Sequence, residues 1–176
     1  MKQSDPDFFE LLRSAHRSAV HLEMRDSYGL ADEVEDFTAW RRGHRVNWAD
    51  LSMWWNPFHT AVADAVSRGV VMRRARIVSE PVSEYIRYEH YLTTANVTAG
   101  EEVRWLPRKL ATAIPLPGND FWLFDETALI VNHFDGQGDW ASPGMELDDD
   151  PDAVKLCASA FELVWERAVP HADFTV

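Results

Sequence analysis

The sequence predicts an α/β domain built on one mixed parallel and antiparallel sheet flanked by helices, and three patterns support this. Apolar and polar residues alternate over residues 20–25, as they do on a β-strand. Apolar residues recur every three or four positions over residues 151–167, as they do on one face of a helix. Strands separated by helices need crossover connections and some parallel pairing, whereas the closely spaced strands after residue 103 favour antiparallel pairing.

Proline and glycine bound the elements of the first hundred residues. Pro6 and Pro81 each stand where a helix can begin, because proline is tolerated in the first helical turn, and Gly69 is placed to end a helix. The predicted elements are a helix opening at Asp5-Pro6, a strand over 20–25, a helix over 31–42, a helix over 50–68 that breaks at Asn56-Pro57, a strand over 70–79 and a helix from Glu80-Pro81 to Asn96.

The remaining residues predict strands first and a helix last. The predicted elements are strands over 103–106, 121–125 and 129–134, a turn over 135–138, a short strand over 145–147 and a helix over 151–167. Asp148-Asp149-Asp150 before Pro151 is typical of an N-terminal cap, since carboxylates bind the free N–H groups of a first helical turn. Cys157 falls within the apolar spacing of the last helix, which favours a small core residue over a reactive thiol.

Composition indicates a single domain over residues 1–176, in which a helical segment, 1–17, packs on the α/β core. The chain has 176 residues, of which 46% are apolar. Its apolar runs are too short to cross a bilayer, so we expect no membrane association. With one cysteine no internal disulfide can form, which agrees with a reducing cytoplasm, and we expect a cytoplasmic protein.

The net charge predicts that the chain does not bind nucleic acid directly. It is −12 at neutral pH, whereas phosphate contacts need clustered cations. The recognised catalytic patterns are also missing from the sequence: there is no His-Glu-x-x-His zinc helix, no Gly-x-Ser-x-Gly nucleophile turn and no glycine-rich phosphate loop. We therefore predict no catalytic residues, no metal ion and no cofactor.

The strongest polar constellation lies between the strand over 70–79 and the strand over 103–106. If these strands are neighbours, arginines and carboxylates converge at one sheet edge, where α/β folds often bind ligands. The predicted ligand-binding residues are Glu80, Tyr85, Arg87, Tyr88, Glu89, Arg104 and Arg108. Arginine suits a small anionic ligand. The alternative is a structural ion-pair network that ties the helix to the sheet.

Two adjacent tryptophans are the predicted partner-binding residues. Trp54 and Trp55 belong to a set of eight tryptophans, and tryptophan serves both cores and interfaces. Adjacent helical positions point about 100° apart, so one surface cannot readily bury both rings. Core packing is the alternative for this pair and the preferred interpretation for Trp105, Trp122 and Trp165.

Several segments carry a resemblance to a known family. They are residues 76–89, Asn96, residues 99–101, residues 104–108, residues 120–125 and residues 165–170. Over nearly its whole length the chain resembles an uncharacterised actinobacterial family whose members are encoded beside, or fused to, helix-turn-helix regulators of the xenobiotic-response type. The resemblance implies a regulatory role with such a regulator as partner.

The order of elements over residues 18–168 also resembles one half of a phospholipase D-like domain, as a fold analogy. The catalytic motif of that family has a histidine, a lysine and an aspartate at fixed spacing. With Asp125 as the aspartate, the other positions fall on Gly118 and Asp120, which cannot serve as nucleophile or phosphate-binding lysine. The resemblance therefore implies a non-catalytic relative.

Three functions stay open at this point. The first is a non-catalytic regulatory or ligand-sensing protein that works with a helix-turn-helix regulator. The second is an enzyme for a small phosphate- or carboxylate-bearing substrate, with Arg104, Arg108 and Glu80 in its site. The third is a structural subunit of a homo-oligomer such as a homodimer.

Overall fold

The computed structural model describes residues 2–4, 6–29 and 31–176. Within them the chain forms five α-helices and one eight-stranded sheet. The helices are α1 (Phe8–Ser14), α2 (Ala31–Arg41), α3 (Pro57–Ser67), α4 (Glu84–Ala99) and α5 (Pro151–Arg167). The strands are β1 (Lys2–Ser4), β2 (Ser18–Glu23), β3 (Val71–Val78), β4 (Glu102–Pro107), β5 (Asp120–Phe124), β6 (Ala128–Phe134), β7 (Trp140–Asp148) and β8 (Val169–Pro170).

The sheet is mixed, and its strand order is β1-β7-β6-β5-β2-β3-β4-β8. β2, β3 and β4 pair in parallel, because α3 and α4 supply the crossover connections between them. β5, β6 and β7 form an antiparallel meander, and β5 joins it to β2. The predicted fold class, a single mixed sheet flanked by helices, is therefore confirmed. Among the described residues, no helix has the length and apolar character that a membrane crossing requires.

The two faces of the sheet are packed differently. On one face α5 lies over β2–β5 and buries an apolar core that includes Leu22, Ile77, Phe121 and Phe161. On the other face α1 and α3 cover one end of the sheet, and α4 covers β4 around Trp105. Between these two packed regions the second face carries polar residues.

Local capping explains where the helices begin. α5 has the predicted bounds, and the Asp150 carboxylate accepts from the N–H groups of Asp152 (2.8 Å) and Ala153 (3.4 Å). The predicted interruption at Asn56-Pro57 is a true start: the Asn56 side chain caps α3, and a short 3-10 helix, Leu51–Met53, replaces the first half of the predicted helix. Cys157 is buried in the α5 core, as predicted.

Three predicted boundaries are corrected. α4 begins at Glu84 rather than at Glu80-Pro81, because Ser83 Oγ caps it by accepting from the N–H of Ile86 (3.1 Å). The predicted strand over 145–147 is the end of the longer β7, which pairs with β6. α1 begins at Phe8 with Asp7 as its cap, and Asp5, the predicted opening residue, lies outside the described residues. The predicted helical segment over residues 1–17 is therefore helical only over Phe8–Ser14, because Lys2–Ser4 pairs with β7 as a strand.

Candidate ligand-binding site

A cavity of about 500 Å³ lies on the face of the sheet opposite α5, and we call it the central cavity. Its polar lining residues are His21, Glu23, Tyr28, Glu33, Arg74, Arg76, Tyr85, Glu89, Asn96, Asp120 and Asn132. Its apolar lining residues are Phe8, Phe9, Phe58, Leu92, Trp122, Phe134, Trp140 and Met145. Four neighbouring strands contribute pairs of residues two positions apart, because alternate residues of a strand point to the same face.

Two buried arginines lie at the centre of this site. Arg74 pairs with Glu23 and, through Nε, with Glu101 Oε1 at 2.9 Å. Arg76 pairs with Glu89, and its Nε lies 2.9 Å from Glu23 Oε2, without the alignment of a hydrogen bond. All five side chains are at most 12% exposed. The two guanidinium groups are therefore neutralised by three glutamates before any ligand enters.

The network sets the protonation of its members. Burial raises the pKa of Glu23, but the charges of Arg76 and Arg74 outweigh burial and hold that pKa well below its usual range. His21 Nε2 lies 3.1 Å from Glu23 Oε1, yet burial lowers the pKa of His21, so its imidazole is neutral at pH 7. Glu23 consequently stays charged and His21 stays neutral at physiological pH.

Two carboxyl groups of the cavity stand apart from the arginines. Glu33 Oε2 accepts from the Tyr85 hydroxyl at 2.7 Å, and burial, with the nearby Glu89 charge, raises its pKa to about 7. Asp120 accepts from the Tyr28 hydroxyl and from the N–H of Met24 (2.9 Å), and burial raises its pKa to about 6. Among the described residues neither carboxyl forms an ion pair with a cation.

Aromatic rings form the wall beside these carboxyls. The Phe134 and Trp140 rings stack with centroids 4.5 Å apart, and the Tyr28 ring meets Phe134 edge-on at 5.1 Å. Phe8 and Trp122 contribute further rings toward the α1 end of the cavity. The site thus combines acceptor groups with π-faces, which suits a ligand that has both polar donors and an apolar body.

The predicted ligand-binding residues are dispersed by the structure. Tyr85 and Glu89 line the central cavity, as just described. Tyr88 packs against Phe37, with ring centroids 5.2 Å apart, and Arg87 is exposed on the outer side of α4. The sequence assigns all four residues to one helix but does not show how that helix is oriented, which is why the predicted common surface is divided in the structure.

The other three predicted residues lie elsewhere. Glu80 binds Lys109 Nζ at 2.6 Å in a shallow groove that Arg108 also lines, and Arg108 donates to the carbonyl of Ile77 at 3.1 Å. Arg104 points to the α5 face, where it donates to the carbonyl of Trp165 at 3.1 Å. The expected convergence of Arg104 and Arg108 with Glu89 does not occur, because strand alternation puts Arg104 on the opposite face from Trp105.

The two predicted partner-binding tryptophans are half-buried in an aromatic cluster. Trp54 meets Trp48 with centroids 5.5 Å apart, and Trp55 Nε1 donates to Thr60 Oγ1 at 2.9 Å. Both rings also contact His59. Both tryptophans therefore have packing partners within the chain. Partner binding by Trp54 and Trp55 stays a prediction.

Most of the central cavity was missed at the sequence level, although a signal was present. His21 and Glu23 alternate with apolar residues on β2, and Arg74 and Arg76 do so on β3. Polar alternate positions on a strand usually face water, but β2 and β3 are central strands of a sheet covered on both faces. Charged residues at alternate positions of such strands indicate an internal polar site.

Residues 6–176 match the family described as "Domain of unknown function (DUF6879)". The chain belongs to the DUF6879 family. The match covers β2 to β8, the five helices and every lining residue of the central cavity, so the site lies within the family domain. No curated protein matches the chain.

Two solved structures resemble the DUF6879 chain in fold. TrmBL2, an archaeal chromatin protein with a novel mode of DNA binding, is 14% identical with a TM-score of 0.46, and the alignment covers 91% of this chain but 47% of that one. The chain thus spans about half the length of TrmBL2. Nuc, a phospholipase D family member from Salmonella typhimurium, is 11% identical with a TM-score of 0.47, and the alignment covers 97% and 95%. These likenesses concern the fold alone.

One prediction about partners is corrected by these comparisons. The net charge predicts no direct nucleic-acid binding, but a DNA-binding protein, TrmBL2, is among the structures that match this chain. That exclusion is wrong as an inference from overall charge, because a protein with an acidic total can still carry a local basic surface. DNA binding itself is a property of TrmBL2.

The raised pKa of Glu33 leads to a stability prediction. The pKa of Glu33 is about 7 in the folded protein, above its ordinary value of 4.5, so the native state holds this proton more tightly than the unfolded state does. The free energy of unfolding therefore falls as pH rises between those two values. Glu33→Gln removes that loss while keeping an acceptor for Tyr85. We expect the variant to be more stable than the parent by about 1–2 kcal/mol at pH 8 and equally stable at pH 4.

Urea unfolding at both pH values measures the difference. Glu35→Gln, an equivalent change at an exposed position of the same helix, is the control and should alter stability by less than about 0.5 kcal/mol. Equal stabilities of the Glu33 variant and its parent at pH 8 would show that Glu33 is not held in an unfavourable environment.

Proposed function

We propose that this domain is a non-catalytic receptor for a small organic molecule, which binds in the central cavity. The observation that carries the proposal is the buried network of Arg74 and Arg76 with their glutamates at the centre of the sheet. Buried ion pairs stabilise a fold little, and apolar residues of similar volume often serve as well. Because burying these charges adds little stability, we take their position in the cavity as a sign that this face of the sheet serves ligand binding.

The dimensions and lining of the cavity support the same proposal. Ligand pockets measure roughly 300–1,000 Å³ and combine apolar walls with a few convergent polar groups. The central cavity, at about 500 Å³, falls within this range and has aromatic walls with buried acceptors. The opposite face is packed by α5 as an ordinary apolar core, which keeps the floor of the cavity rigid.

The described lining residues lack the side chains that most often act as covalent nucleophiles. Among those described there is no serine, threonine, cysteine or lysine. The alternative of an enzyme for an anionic substrate needs Arg104 beside Glu80 and Arg108, but Arg104 does not line their groove and donates to the carbonyl of Trp165 instead. The family resemblance over nearly the whole chain adds a regulatory role to the proposal, in which ligand occupancy changes the interaction with a helix-turn-helix regulator.

A thermal-shift screen of a metabolite library tests ligand binding. A ligand at about 100 times its Kd stabilises the native state by about 2.7 kcal/mol, which raises Tm by several degrees. Leu92→Trp places an indole in the central cavity from α4, and we expect it to abolish the shift caused by every true ligand.

Val97→Trp is the matched control, because Val97 is an exposed residue of the same helix. It should leave the ligand-induced shift unchanged. The proposal fails if no compound raises Tm, or if the compounds that do so act equally on the Leu92 and Val97 variants.

A further inference from the structure

The charge of the central cavity is unbalanced. Its described lining includes four carboxyl groups, from Glu23, Glu33, Glu89 and Asp120, but only two guanidinium groups. Glu101, behind the lining, takes part of the charge of Arg74 as well. The arginines are therefore already matched by carboxylates, and the surplus charge of the cavity is negative.

Each surplus carboxyl is bound by a tyrosine hydroxyl, and the two tyrosines are neighbours. Glu33 is bound by the hydroxyl of Tyr85 and Asp120 by the hydroxyl of Tyr28, and the two tyrosine rings are 6.2 Å apart between centroids. The nearby Arg25 does not neutralise Asp120 by direct pairing, because its guanidinium donates to the carbonyls of Phe134 and Asp135.

An unpartnered acceptor stands beside Asp120. Asn132 is directly opposite Asp120 in the register of β5 and β6, is only 6% exposed and lines the cavity. Its Oδ1 has no hydrogen-bond donor among the described residues. A buried acceptor without a donor is unfavourable, so the site lacks a donor that a ligand can supply.

We propose that the ligand of the central cavity carries a protonated amine or a quaternary ammonium group on an aromatic or aliphatic body, an inference that rests on the proposed function. The cationic group lies against Glu33 and Asp120, and a protonated amine also donates to Asn132. The apolar body packs on Phe134 and Trp140. Carboxylates together with ring faces are the usual environment that proteins provide for organic cations.

Proton linkage follows from this arrangement. Glu33 faces Tyr85 and Glu89 on α4, Glu23 on β2 and Arg76 on β3, whereas Asp120 faces Tyr28, Glu23 and Arg25. Their pKa values, about 7 and about 6, mean that a bound cation would drive both carboxyls toward ionisation. Binding should therefore release protons and strengthen as pH rises from 5.5 to 7.5.

Isothermal titration calorimetry with matched probes tests the ligand class. The probes are tryptamine, 2-phenylethylamine and benzyltrimethylammonium, with 2-phenylethanol as the neutral analogue and 3-phenylpropionate as the anionic one. We expect at least one of the three cations to bind at least tenfold more tightly than both analogues at pH 7.5, and severalfold more weakly at pH 5.5.

Variants locate the effect at the two carboxyls. Asp120→Asn and Glu33→Gln should each weaken cation binding at least fivefold, Leu92→Trp should abolish it, and Glu35→Gln should leave it unchanged. Preference for the neutral or anionic analogue, blocked by Leu92→Trp, would overturn the amine inference and leave the receptor proposal standing. Cation binding that is equal in the Asp120, Glu33 and Glu35 variants would also overturn it.

The remaining outcome is that none of the three cations binds. If the metabolite screen then yields only neutral or anionic ligands of the cavity, the amine inference alone is wrong. If the screen yields no compound that Leu92→Trp blocks, the receptor proposal and the amine inference fall together.

Discussion

Arg76→Met is expected to lower the free energy of unfolding by about 3–5 kcal/mol at pH 7. The Arg76 side chain is 6% exposed and pairs with Glu23 and Glu89, whose side chains are 12% and 10% exposed. Methionine fills most of the volume but leaves both carboxylates with less compensating charge in a buried site. Breaking a buried pair from one side is costly because the remaining charge has lost its partner and cannot reach water.

Denaturant unfolding at pH 7 and pH 5 measures this loss and its electrostatic origin. Without Arg76 the pKa of Glu23 rises, because burial is then opposed by less positive charge, so the deficit relative to the parent should shrink at pH 5. Arg41→Met is the control: its partner Glu84 is 51% exposed, and exposed pairs contribute about 0–1 kcal/mol. A deficit below 1 kcal/mol for Arg76→Met would contradict the buried network.

Phe161→Ala is expected to destabilise the protein by about 3–5 kcal/mol through loss of core packing on the α5 face. Phe161 is 0% exposed and stacks on Trp165 with ring centroids 5.6 Å apart. The Arg73 guanidinium lies 5.0 Å from the Phe161 ring centroid, so the truncation also removes a cation–π contact. Because α5 and the central cavity lie on opposite faces, folded variant protein should still bind cavity ligands.

Thermal unfolding and ligand titration below the transition separate these two effects. Leu156→Ala, at a 42% exposed position of the same helix, should cost less than about 1 kcal/mol. If Phe161→Ala weakened binding of a cavity ligand as strongly as Asp120→Asn, the two faces would not be energetically independent.

The Phe161 and Arg76 variants test two faces of the sheet that have different roles. The α5 face supplies stability in the ordinary way, through close packing of apolar side chains. The opposite face holds charges that contribute little net stability and become unfavourable as soon as one partner is removed. Stability therefore explains the presence of Phe161 but not that of Arg76.

Local rules were sufficient for much of the secondary structure. The bounds of α5 follow from Asp150, Pro151 and the helical spacing of apolar residues, all of which act over one or two turns. The order of strands and helices likewise led to a mixed sheet with helices on its faces. The predicted start of α4 is three residues or more too early. Pro81 and Ser83 are both residue types that occur at helix starts, and in the structure Ser83 is the N-cap, so α4 begins at Glu84.

Only the tertiary structure decided where the candidate site lies. Alternation on β2 and β3 shows that each strand has two unlike faces, but not whether water or a helix covers the polar one. Asp120 meets Tyr28 across 92 positions of the chain and Asn132 across a strand pair, contacts that no local pattern encodes. The sequence by itself determined which residues share a face; chain crossovers and strand order determined that the polar face of β2 and β3 became the floor of a cavity.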